Sequence, residues 1–227
     1  MAMILRIAYL VCALALAVAP SAAMAQTPPS SADLNSYTGL FNAAAQGDVA
    51  RIQALLAAKA DPNARDGQGR TPLHIAAFGS HYHSVRALVS GGGDINLLEN
   101  DRYDVITIAA VKDDEYMVKV AIELGGNPKA ITSRYDGTAL IAAAHLGHDG
   151  VVRTLIAAGA PLDHINNLHW TALMESVVLG NGGPRHVATA KALVDAGANK
   201  TLADRNGVTP LQHARQRDYK AMIDVLQ

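Results

Sequence analysis

Cysteine is almost missing from this chain of 227 residues: Cys12 is the only one. Everything beyond it is without disulfides, thiolate metal ligands and thiol nucleophiles. Aromatic residues are scarce at 4%, so any core is built from aliphatic side chains. Charge of either sign is in short supply too, with 19 Lys and Arg against 20 Asp and Glu and a formal net charge of −1. Bulk charge therefore attracts neither nucleic acid nor an anionic membrane. The chemical signatures are also absent. There is no G-x-G-x-x-G or Walker loop for phosphates, no His-Glu-x-x-His for zinc, and no G-x-S-x-G elbow around Ser176 or any other serine.

What the chain does have is recurrence. The stretch Gly69-Arg70-Thr71-Pro72-Leu73-His74-Ile75-Ala76-Ala77 reads as a loop feeding a helix. Thr71 is suited to the N-cap and Pro72 to the first helical position, where a missing N–H costs nothing. Leu73, Ala76 and Ala77 form a small apolar face that lets a neighbouring helix approach closely. With Thr71 as marker, the equivalent positions are Thr38, Asp104, Thr138, Thr171 and Thr209, spaced 33, 33, 34, 33 and 38 residues apart. A period near 33 signals an array of repeats. Each unit continues with an apolar stretch, a break, a second amphipathic stretch and an Asp/Asn-rich turn.

This pattern resembles the ankyrin repeat family, whose Thr-Pro-Leu-His-x-Ala signature matches Thr71 to Ala76. The resemblance runs from Tyr37 to Gln227 in six units, and is strongest at Asp61–His74 and Gly137–Ala160. It implies an all-α solenoid of stacked antiparallel helix pairs with projecting hairpin-like loops, and a non-enzymatic role in protein recognition through the loop tips and the concave face. Departures from the pattern are local. Asp104-Val105-Ile106-Thr107 replaces the signature in unit three, and Lys59 and His169 stand where glycine would ease a left-handed backbone.

Three further segments complete the organisation. Residues 1–25 read as an export signal: Arg6, an apolar run from Ile7 to Ala19, and a small-x-small site with cleavage predicted after Ala25. An uncleaved membrane anchor is the alternative for the same residues. Cleavage leaves a chain with no cysteine, suited to a periplasmic or extracellular setting, and a formal charge of 18 minus 20, or −2. Residues 26–36 read as a Pro/Ser-rich flexible linker before the repeat domain at 37–227. In unit five, Asn181-Gly182-Gly183-Pro184-Arg185 is an insertion between the two helices and reads as loop.

The candidate functional residues follow from the repeat frame. Loop tips and first-helix ends are expected on one exposed face, where rigid aromatics and Arg give contact area at low entropic cost. Phe78, Tyr103, Val111, Leu146, Trp170 and Leu179 are expected as the apolar centre of a partner-binding face, with Arg70, Lys112 and His145 at its polar rim. No cofactor and no metal are expected. The nine histidines, including His81-Tyr82-His83 and the His145/His148 pair, motivate the alternative reading of an auxiliary metal- or small-molecule-binding protein. Against it, neither cluster has the converging ligands that zinc needs. The expected state is a monomer with an unidentified protein partner.

Overall fold

A computed structural model describes residues 26–227. The export-signal expectation falls on residues outside that range. Among the described residues thirteen helices follow one another, and strand structure is confined to one bridge between Thr132 and Gly137. A short α1 (Ser31–Ser36) precedes six pairs. These are α2 (Gly39–Gln46) with α3 (Val49–Ala57), α4 (Pro72–Phe78) with α5 (Tyr82–Ser90), and α6 (Val105–Val111) with α7 (Glu115–Glu123). Then come α8 (Ala139–Leu146) with α9 (Asp149–Ala157), α10 (Ala172–Val178) with α11 (Pro184–Asp195), and α12 (Pro210–Gln216) with α13 (Lys220–Leu226). First helices pack on first helices in chain order and second helices on second helices, so two parallel layers form a solenoid.

The marker residue starts each first helix. Asp104, Thr138, Thr171 and Thr209 each accept a hydrogen bond from the backbone N–H three residues on, at 2.7 to 3.3 Å. The small pairs Ala43-Ala44, Ala76-Ala77, Ala109-Ala110 and Ala143-Ala144 are completely buried, which allows successive first helices to lie close together. Larger core side chains come from both layers, among them Leu73, Ile106, Leu140 and Leu173 of the first helices and Ile52, Leu88, Met117 and Leu155 of the second.

Successive units are also joined by polar contacts. The last carbonyls of each short first helix lack partners within the helix, and the turn that follows satisfies some of them, as Gly47 N–H does for Ala44 and Asp48 N–H for Ala43. A side chain of the next unit satisfies another: His81 Nε2 reaches the Ala45 carbonyl (3.1 Å), His148 Nδ1 Ala110 (2.8 Å), His186 Nε2 His145 (3.0 Å) and Arg217 Nη2 Val178 (3.4 Å), while Tyr219 Oη bonds the Gly180 carbonyl just beyond α10 (3.3 Å). In unit three the ammonium of Lys112 does this for the Phe78 carbonyl, and also reaches Ser80 Oγ at 3.1 Å. Gly47 (φ 70°) and Gly147 (φ 70°) end α2 and α8 in the left-handed region, and the rings of His81 and His186 lie where a Cβ on either would sit.

His74 performs a second kind of linkage. Its Nδ1 faces the Thr71 N–H at 3.0 Å and so accepts, leaving Nε2 to donate to the Tyr103 carbonyl of the next loop at 3.2 Å. The ring is buried, which pushes its pKa down from 6.5 to about 4 against the opposing pull of the Tyr103 carbonyl.

Two expectations are corrected. The segment before the repeats is not all linker, because α1 has a complete capping box between Ser30 and Asp33. The insertion is not all loop either. Gly183 N-caps α11 and Pro184 is its first residue, so Pro184 and Arg185 belong to the helix. Arg185 then bridges back two units, with Nη2 2.7 Å from Asp113 Oδ2 and Nε 3.5 Å from Asp149 Oδ1. As expected, Lys59 (φ 66°) and His169 (φ 69°) adopt the left-handed backbone.

The His74 linkage makes stability depend on pH with a definite sign. Between about pH 6.5 and about 4 the unfolded chain holds a proton that the folded ring refuses, so stability falls as pH falls through that window. The loss expected is roughly 3 kcal/mol when the window has been crossed. His74→Gln should remove this part of the profile, because Gln212 already occupies the same position in unit six and accepts from the Thr209 N–H at 2.8 Å. Urea unfolding at a series of pH values checks it.

Candidate functional site

Four of the five projecting loops are built alike, each closed by a backbone hydrogen bond, Asp66 N–H to the Arg70 carbonyl, Glu99 to Tyr103, Asn166 to Trp170 and Asp204 to Val208, at 3.0 to 3.1 Å; the longer loop before α8 is closed by Thr132 N–H to the Gly137 carbonyl at 2.8 Å. The side chain of the first residue accepts from the N–H of the last: Asp66 from Arg70 (2.9 Å), Glu99 from Tyr103 (3.0 Å), Asn166 from Trp170 (3.0 Å) and Asp204 from Val208 (3.0 Å). Neighbouring loops are joined as well, by Asn100 N–H to Gln68, Ser133 N–H to Arg102 and Asn167 N–H to Tyr135 carbonyls at 2.9 to 3.0 Å. The tips therefore form one rigid rim along the solenoid.

The residues expected at the site divide into three groups. Leu146 (40% exposed) and Leu179 (38%) end the first helices of units four and five and face solvent. Phe78, Val111, His145 and Trp170 are partly buried, and Phe78 packs against the core. Arg70 and Tyr103 are placed differently from the expectation. Arg70 is 2% exposed, with Nε 2.7 Å from Asp66 Oδ2 and Nη2 3.1 Å from Asp33 Oδ2. It is thus an internal tie between α1 and the first loop rather than a rim cation. Tyr37 Oη donates to the same Asp66 oxygen at 2.6 Å. Burial alone would raise the Asp66 pKa, but these hydrogen bonds hold it below the usual carboxylate range. Tyr103 is buried, its ring in the core and its carbonyl under His74. Lys112 is exposed but its ammonium is engaged on α4, and burial of that end lowers its pKa despite nearby Asp114.

Three participants are not among the expected site residues, although Tyr135 is one of the aromatics that the repeat frame places on or beside the exposed face. Tyr135 and Leu168 sit at the tips of loops four and five and are exposed. Both lie three residues before the marker, a position held by Gln68, Asp101 and Asn206 in other units, so comparing loop tips would have found them. The third is Glu175, 5% exposed, where other first helices have Ile75, Ile108 or Ala142. Its Oε1 accepts from Asn166 Nδ2 at 2.7 Å, and its Oε2 lies 3.2 Å from His145 Nδ1. A buried carboxylate fully hydrogen-bonded in this way fixes the loop and the end of α8 relative to each other.

Six of the eight large apolar residues that are exposed among the described residues fall between residues 131 and 179: Ile131, Tyr135, Leu146, Ile165, Leu168 and Leu179. The charges beside them are paired internally, Arg102 with Asp136 at 2.8 Å and Arg134 with Asp101. The histidines offer little to a metal. Seven of the nine are committed to intramolecular partners: His74, His81, His145, His148, His164, His186 and His213. Among the described residues no group of three or more His, Cys, Asp or Glu converges as a metal site. Nor is any described helix long and apolar enough to cross a membrane.

A two-layer helical solenoid with a rigid rim of loops, and with exposed apolar side chains concentrated between residues 131 and 179, belongs to the class of repeat proteins that present a recognition surface. The chain matches ankyrin repeats in two stretches, residues 35–89 (many copies) and 106–204 (three copies), together more than half its length. It belongs to the ankyrin repeat family. Members generally serve as protein-interaction modules without enzymatic activity. Among curated proteins it is similar to the ankyrin repeat protein YahD of Escherichia coli strain K12, 34% identical over 95 residues that cover 41% of this chain and 47% of that one. The match thus spans about half the length of that relative. An ankyrin repeat domain from Acinetobacter baumannii is 41% identical with a TM-score of 0.78, covering 82% of this chain and 95% of the other. A chain in the complex of a predatory endopeptidase from Bdellovibrio bacteriovorus with an immunity protein is 27% identical with a TM-score of 0.70, covering 84% and 97%.

The placement of Arg70 has a measurable consequence. Arg70→Met keeps the length and apolar stem but strips the cation from Asp66 and Asp33, and should cost about 2 to 3 kcal/mol of stability. Chemical denaturation reads the loss. Partner capture at temperatures where the variant is folded should be unchanged, in contrast with what a rim residue would do.

Proposed function

We propose that this chain is an exported, monomeric, non-enzymatic interaction module of the bacterial envelope. It binds a protein partner through the face formed by first-helix ends and loop tips, centred on units four and five. The observation that carries the reading is the concentration of exposed apolar side chains between residues 131 and 179. Large exposed apolar groups gathered on one side of a rigid scaffold are a mark of a partner surface. The loop-to-loop hydrogen bonds hold that surface in place before the partner arrives, so little ordering cost falls on binding. The neighbouring ion pairs are already satisfied within the chain, which favours an apolar contact over one driven by charge. Support for the compartment comes from residues 1–25 as a signal and from the lack of cysteine after Cys12. The structural relative found in an endopeptidase–immunity protein complex gives support to a folded protein as the kind of partner.

The test is a crosslinked pull-down of the tagged, processed protein from its own envelope fraction, beside the Leu146→Ser/Leu179→Ser variant. One abundant protein captured by the native form, reduced about tenfold or more in the variant and retained at high salt, is the expected outcome, since two buried leucines are worth about 1.5 to 3 kcal/mol each. Equal capture by both forms, or none above background, would sink the reading of this face. Mass spectrometry of the same preparation should find Gln26 as the first residue.

A further inference from the structure

We propose that Asn181 is a site of spontaneous backbone modification, in which its side-chain amide is lost through a cyclic imide with Gly182. Two Asn–Gly steps occur in the sequence, Asn181–Gly182 and Asn206–Gly207. A following glycine exposes its backbone nitrogen to the Asn side chain because no Cβ stands in the way. The two steps share this composition and differ in structure.

At Asn206, the Gly207 N–H is held by the Asp204 carbonyl at 3.0 Å within the loop turn. Attack by that nitrogen first requires this bond to be given up. Gly182 N has no hydrogen-bond acceptor among the described residues. Its φ of 68° is held by the Tyr219 ring, which lies where a Cβ at residue 182 would sit. The electrophile differs as well. Asn181 Oδ1 accepts from the Gly183 N–H at 2.9 Å and lies 3.1 Å from His186 Nδ1. The Gly183 N–H on that oxygen stabilises the negative charge it gains when Cγ is attacked, as a donor of an oxyanion hole does. No side-chain hydrogen bond polarises the Asn206 amide in this way among the described residues.

The chemistry balances without any external reagent but water. The Gly182 nitrogen forms a bond to Asn181 Cγ. The Cγ–Nδ2 bond then breaks, and Nδ2 departs as ammonia carrying the proton lost by the Gly182 nitrogen. Water opens the imide at one carbonyl or the other, leaving aspartate or isoaspartate at position 181. The product places a carboxylate against His186, the residue that bonds the terminal carbonyl of α8 beside Leu146. The modification therefore acts on the support of the apolar patch without touching its side chains.

The experiment follows both asparagines in the full processed chain by peptide mass spectrometry during incubation in mildly alkaline buffer. Each conversion appears as a gain of about one dalton, and isoaspartate is separated from aspartate by chromatography. In the folded chain Asn181 should convert about fivefold or more faster than Asn206, the rate ratio that one hydrogen bond of about 1 kcal/mol gives. In denaturant the two should converge, since both are Asn–Gly. An Asn206 rate equal to or above that of Asn181 in the folded chain would overturn the proposal. So would a ratio that persists in denaturant.

Discussion

The structure depends on how very short helices finish. The first helix of each unit has only seven or eight residues, so its last four carbonyls are half of its backbone acceptors. Left dry and unpaired they would cost more than the helix gains. Turn N–H groups meet part of this need, and for the rest the chain uses one device five times, a donor from the next unit set on the end of the helix before it: His81, Lys112, His148, His186 and Arg217. The donors differ in chemistry while the geometry is kept. Apolar stacking between the buried alanine pairs sets how near the units come, and these hydrogen bonds fix their register.

Much of this was legible in the sequence because it is periodic. The marker residue predicts the start of every first helix, and Asp104 caps α6 as a threonine would. Its burial raises its carboxyl above the usual range in spite of the hydrogen bonds from Thr107, a cost that threonine at the same position avoids. The second helices follow from apolar spacing, and the departures at Lys59 and His169 show in φ as a missing glycine requires. Such features are encoded within one unit, where neighbours in sequence are neighbours in space.

What was not legible lies between units or breaks their period. Arg70 looked like an exposed cation because nothing near it in sequence says that Asp33, 37 residues earlier, folds over it. Tyr103 looked like a loop-tip aromatic, but its side chain turns into the core between two units. The insertion read as loop from its Gly and Pro content, yet the same Pro184 is well placed to start α11, and Arg185 finds its partner 72 residues away. Glu175 belongs to no motif in the sequence. Its function in the structure, joining Asn166 to His145, needs all three positions at once. The exposed apolar residues were recognised in part, since Leu146 and Leu179 are among the expected contacts while Tyr135 and Leu168 stand out only when the same loop-tip position is compared across units.

The donors set on the first-helix ends all point one way, from a later unit to an earlier one, while in the loops His74 donates forward to Tyr103. The solenoid therefore has a direction. Each unit that emerges first in synthesis waits for its successor before the last of its helix-end carbonyls is bonded, so the structure matures one unit behind the growing chain. A unit added at the amino end would require the former first unit to supply a donor. Loss of a unit from the carboxyl end would take a donor away from the helix before it.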